Sequence, residues 1–140
     1  MLNCDIVKII LMLSGGWEMN TELKNAVIDI LKGIGSYVSG HRDENCYLSS
    51  YQIAVLLLED KKIKKLLSDI NYPMNVGGAG DGSHNSLAQT IAKDLAKIPE
   101  EFEIAFLNKK GLHQFSFIDE KGILSEPSVQ SFSMFRLKRN

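Results

Sequence analysis

The chain has 140 residues, a length suited to one domain, and 44% of them are hydrophobic, enough to bury a core without disulfide or metal staples. Sixteen basic and seventeen acidic side chains leave a net charge of -1, which excludes attachment to nucleic acid or a membrane by bulk charge alone and leaves open only a local basic face. The two cysteines, Cys4 and Cys46, make neither a disulfide framework nor a metal-binding spacing, and read as reduced thiols of a cytoplasmic protein.

Residues 6–13 are apolar but too short to span a bilayer, and their single Lys8 lies inside the apolar run, unlike a signal peptide. No membrane partner is expected. The run Gly15, Gly16, Trp17, Glu18, Met19 can be encoded by GGA GGN TGG GAR ATG, which holds a ribosome-binding sequence just before a start codon. On this reading Met19 is the natural start, residues 1–18 are an upstream extension, residues 19–140 form one α+β domain, and the source is a bacterium or its phage. A native N-terminal strand or helix is the other reading of the same residues.

From Asn20 onward Leu23, Ala26, Val27, Ile30, Leu31 and Ile34 fall at i, i+3, i+4, i+7, i+8 and i+11, one apolar stripe of an amphipathic helix. Asn20 or Thr21 can cap it, and its surface is a plausible dimer contact. A second helix is announced by Ser49-Ser50-Tyr51-Gln52, the pattern of a capping box. Its stripe runs through Ile53, Ala54, Leu57 and Leu58. Charged residues 59–62 interrupt the apolar density, and Ile63, Leu66, Leu67 and Ile70 resume it, as the same helix or a third. Pro73 prevents continuation. A glycine-dense loop over 77–86 then leads into Ser86-Leu87-Ala88-Gln89, a second capping box, and a helix with Leu87, Ala88, Ile91, Ala92 and Leu95 on one face, closed by Pro99.

At Phe102 the period changes to two, the mark of a strand. Asn108-Lys109-Lys110-Gly111 is expected to turn it into a returning strand over 112–118, giving a hairpin with a lysine tip. Residues 119–122 make a further turn, Pro127 breaks the segment after it, and residues 131–139 form a last strand with Phe135 and Leu137 on one face. The fold class expected is α+β: three to four helices, then a small antiparallel sheet.

Helix, helix, helix, hairpin in that order resembles a winged helix-turn-helix. The resemblance covers residues 20–118 and rests on element order, without an invariant motif. It implies a recognition helix over 87–97 and a wing over 102–118. Ser83, His84, Asn85, Gln89, Thr90 and Lys93 would then approach DNA bases, while Lys97, Lys109 and Lys110 would hold phosphates. The long segment between the two central helices departs from the pattern.

A competing reading takes the glycine loop as an anion site. Gly78, Gly80 and Gly82, with Ser83 and Ser86 at the helix start, could cradle a nucleotide or other phosphorylated ligand in a non-catalytic sponge. The P-loop and dinucleotide fingerprints are both absent. A third reading is a protein-interaction module or inhibitor, since winged helices serve that purpose too. No catalytic constellation, metal cluster or cofactor motif stands out, so no enzyme activity is expected.

Overall fold

The computed structural model describes residues 19–34, 45–77, 86–108, 116–127 and 131–138. The first helix, α1 (Thr21–Gly33), starts where Asn20 Oδ1 accepts from the Leu23 N–H at 3.1 Å. Leu23, Val27 and Leu31 of its stripe are buried in the chain's own core, which withdraws them from any dimer contact.

A two-residue strand, β1 (Leu48–Ser49), runs straight into α2 (Ser50–Glu59). Here the capping box closes on both sides. Gln52 N–H donates to Ser49 Oγ at 3.1 Å, and Ser49 N–H donates to Gln52 Oε1 at 2.9 Å. The charged interruption that followed in the sequence is a break between two helices. Asp60 takes an extended conformation, ends α2 and caps α3 (Lys61–Asp69) by accepting from the Lys62 and Ile63 N–H groups.

Helix α3 stops before Pro73 is reached. Asn71 adopts a left-handed φ of 59°, Tyr72 N–H donates to the Leu67 carbonyl and Asn71 N–H to the Ser68 carbonyl. That pair of bonds is a Schellman motif, which satisfies carbonyls the helix end would otherwise leave open. Helix α4 (Leu87–Ala96) follows, capped by Ser86 Oγ.

Strands β2 (Phe102–Asn108) and β5 (Ser131–Leu137) pair antiparallel over seven residues, and β1 pairs with the other edge of β5, so the strand order is β1-β5-β2. Among the described residues the expected partner of β2 is therefore corrected, while residues 109–115 of the expected hairpin lie outside them. The described end of the 112–118 segment, β3 (Phe117–Ile118), pairs with β4 (Leu124–Ser125) across a turn in which Gly122 supplies a φ of 78°. The reason lies in side-chain complementarity. Register with β5 sets Ile104 opposite Phe135 and Glu103 opposite Arg136, whose Nε donates to Glu103 at 2.6 Å. Arg136 also lies 4.6 Å over the Tyr47 ring, on the far side of β5. These cross-strand pairs hold the three strands in one register.

The core forms where α1, α2 and α4 meet one face of this sheet, with Leu67 of α3 packed into it. Leu23, Val27, Ile53, Leu57, Leu67, Ile91, Leu95, Phe102 and Phe135 are all at most 1% exposed. A second aromatic cluster ties the β3–β4 unit to α2: Phe117 stacks on Tyr51 with ring centroids 4.7 Å apart, and Phe132 meets Tyr51 edge-on. The protein is an α+β fold in which helices precede the main part of the sheet. Its arrangement is compatible with a winged-helix-like one. No helix among the described residues is long and apolar enough to cross a membrane.

Candidate interaction surface around α4

Helix α4 buries Leu87, Ala88, Ile91 and Leu95, mostly against α2. The opposite side carries Lys93, Ala96 and Lys97, all exposed. The two lysines are four residues apart, hence one above the other on a helix surface.

The N-terminal end of α4 is closed. A helix leaves its first N–H groups without intrahelical partners, and these are the donors an anion or a base edge would meet. Here Leu87 N–H donates to the Asn75 carbonyl at 2.8 Å and Ala88 N–H to the Val76 carbonyl at 3.1 Å. Gln89 N–H donates to Ser86 Oγ at 3.2 Å. Ser86, Leu87 and Ala88 are 0% exposed. The positive end of the dipole therefore faces the protein's own carbonyls.

The next turn is also engaged. Thr90 Oγ1 donates to the Ser86 carbonyl at 2.9 Å, and Thr90 and Gln89 are half-buried. The second capping box of the sequence forms only in part. Gln89 Oε1, the atom that in α2 would have reached back to the cap, is buried without a hydrogen-bond partner.

Tyr72, at the end of α3, donates its hydroxyl to Asp94 on α4. Burial, together with the bond to Asp94 and its charge, holds the Tyr72 hydroxyl well above the ordinary phenol range. Burial also raises the Asp94 carboxyl, against the opposing pull of the Tyr72 bond and of the Lys97 charge. Two ion pairs lie near the sheet: Lys24 with Glu101 at 2.9 Å, and Arg136 with Glu103.

Of the residues picked from the sequence, Gln89, Thr90, Lys93, Lys97 and Ser86 share α4 and its cap. Lys93 and Lys97 are open to solvent, Gln89 and Thr90 half so, and Ser86 is sealed. Gly78, Gly80, Gly82, Ser83, His84, Asn85, Lys109 and Lys110 lie outside the described residues. Sequence reasoning missed Tyr72, Asp94 and Glu120, which accepts from the Val76 N–H at 3.0 Å and so anchors the β3–β4 turn to the strip that seals α4. No local spacing signals that bond, because 44 residues separate its partners.

It also missed how apolar the surface is. Phe106 is 72% exposed, Leu124 67% and Ile123 57%. Along one face of β2, exposure climbs from 1% at Phe102 to that value at Phe106, so the strand runs out of the core. Compared with family models, with curated proteins and with solved structures, the chain matches none.

Proposed function

We propose that this chain is a non-enzymatic, winged-helix-like regulatory module whose partner is a protein. The sealed first turn of α4 carries the reading. A major-groove helix uses its N-terminal residues to contact base edges and phosphates. In this chain the backbone donors of that turn already serve the carbonyls of Asn75 and Val76, and the hydroxyl of Thr90 serves Ser86. The same bonds take from the nucleotide-sponge reading the amides it needs at the helix start. Two other observations support a protein partner. Large apolar side chains stand in solvent at Phe106 and at the neighbouring Ile123 and Leu124, and apolar exposure marks a contact surface where it is contiguous. Polar groups at the ends of α4 are engaged in holding the fold, Asp94 by Tyr72 and the 75–76 strip by Glu120 and α4.

Nucleic acid is the second reading, and one observation favours it: Lys93 and Lys97 form an exposed cationic pair on α4. A titration of fluorescent duplex DNA with the full chain, repeated over a range of salt, separates the two. The protein-partner reading expects weak binding that Lys93→Ala with Lys97→Ala leaves unchanged. Tight binding that falls steeply with salt, with a slope flattened by the double substitution, overturns it, because each lost phosphate contact removes about 0.9 from that slope.

A further inference from the structure

A groove of about 520 Å³ runs between α1 and the corner where α2 meets α3, away from α4. Its floor is apolar: Ala26 and Ile30, one turn apart on α1, face Leu56 of α2 and Ile63 of α3. Leu56 is one of the few large apolar side chains that the described residues leave exposed. The rim is acidic. Among the described lining residues, Glu22, Asp29 and Asp60, the last also capping α3, stand around it against Lys62.

From this we infer that the groove receives an amphipathic helix of a protein partner, with an apolar stripe flanked by lysine or arginine. The inference rests on the protein-partner reading and names where that partner docks. Two physical arguments fix the occupant. The walls are helices, whose backbone groups are paired within themselves, so a docking segment gains no main-chain hydrogen bonds from them. A strand would bury its own amides unpaired, whereas a helix brings them already satisfied. The excess of carboxylates on the rim then selects cations on either side of the stripe, which steers encounter and rejects acidic segments. A second copy of this chain does not meet the description through its own basic helix. In α3 the apolar residues Ile63, Leu66 and Leu67 already pack on the core, leaving the lysines, Ser68 and Asp69 outward and no apolar stripe to offer.

The experiment titrates a labelled synthetic peptide into the full chain and follows fluorescence anisotropy. The peptide spans about four helical turns, with leucines at i, i+4 and i+7 and lysines beside them. A scrambled peptide of the same composition and a version with glutamate in place of lysine serve as controls. Binding of the first peptide, with both controls weaker by about tenfold or more, is the expected result. Asp29→Lys, an exposed change that leaves the core untouched, should weaken the lysine peptide by about tenfold and strengthen the glutamate one. Leu56→Glu should weaken both, with circular dichroism verifying that the variants are folded. Equal binding of the scrambled peptide, or indifference to Asp29→Lys, overturns the inference. Growth of the complex with protein concentration in the absence of peptide also overturns it, since the groove would then hold a second copy. If the DNA titration is negative while the peptide fails, the groove assignment falls alone; if DNA binds through Lys93 and Lys97, the protein-partner reading falls with it.

Discussion

Gly77 shows how much a single missing side chain does here. A Cβ at this position would stand 2.5 Å from Phe117 Cζ and 3.2 Å from Tyr51 Cε1, inside the stacked pair that joins β3 to α2. Gly77→Ala therefore has to push the Phe117 ring off Tyr51. The expected cost is about 1–3 kcal/mol, the usual range for overpacking a filled core, read as a lower urea midpoint with an unchanged slope. Pairing the substitution with Phe117→Leu removes the ring that is struck, so the double variant should lose less than the sum of the two single ones. Strict additivity would mean that the glycine is needed for some other reason. In the sequence Gly77 is one of a run of glycines read as an anion cradle; its neighbours in space, Phe117 and Tyr51, lie 40 and 26 residues away and have no local signature.

The two S-x-x-Q starts offer a comparison between elements of one molecule. In α2 the Gln52 side chain closes the box, while in α4 the Gln89 oxygen is left buried and unbonded. Gln52→Ala should lower stability by about 0.5–1 kcal/mol, the net worth of one hydrogen bond. Gln89→Met keeps the volume, removes an unsatisfied acceptor, and should leave stability within about 0.5 kcal/mol or raise it. Thermal melts of the two variants, taken side by side, check the contrast; equal losses would show that the boxes are equivalent. The same comparison explains what was legible. Period and cap residues are local properties, so helices α1, α2 and α4, the apolar stripe of α3, the extended Ser131–Leu137 segment and the Gly122 turn could be read from spacing, while the break at Asp60 between α2 and α3 was left open. A strand's alternation does not name its partner. Turn chemistry at residues 108–111 pointed to the nearest return segment, but the pairing seen among the described residues joins β2 to a strand with 22 residues between them, where Ile104 meets Phe135 and Glu103 meets Arg136. The closed end of α4 was illegible for the same reason. Its acceptors, Asn75 and Val76, sit across the glycine loop from the helix they seal.

At the scale of the whole molecule, four titrating groups among the described residues, Asp119, Asp94, Tyr72 and Tyr51, make stability vary with pH, and they act in different directions. Asp119 is half-exposed, and its carboxyl is held below the ordinary range chiefly by the Ile123 N–H, with the Lys121 N–H and the Ser125 hydroxyl adding to it. Its contribution is present above the unfolded-state pKa and is lost as pH falls through the folded one. Asp94 behaves oppositely. Burial raises its carboxyl, so its preference for the protonated form is complete below about pH 3.9 and lost as pH rises through its folded pKa, leaving an ionised, half-buried carboxylate at neutrality. Tyr72 offsets part of that cost by donating to it. Its own raised pKa makes that contribution full below about pH 10, the unfolded phenol value, and lost as pH climbs from there toward the folded value. Urea unfolding midpoints measured from pH 6 to 11 should therefore hold level to about pH 10 and then decline. Tyr72→Phe should cost about 1 kcal/mol at neutral pH, the low end for a bond to a charged acceptor because the pair is only half-buried, and should flatten the alkaline decline to the residue left by Tyr51, whose hydroxyl burial also raises. Asp94→Asn keeps an acceptor for the Tyr72 hydroxyl while removing the charge, so it should match or exceed the wild type at neutral pH and lessen the alkaline decline. An Asp94→Asn variant clearly weaker than the wild type at pH 7 would mean that the carboxylate is a net stabiliser of the α3–α4 junction, and that burial is not the dominant influence on it.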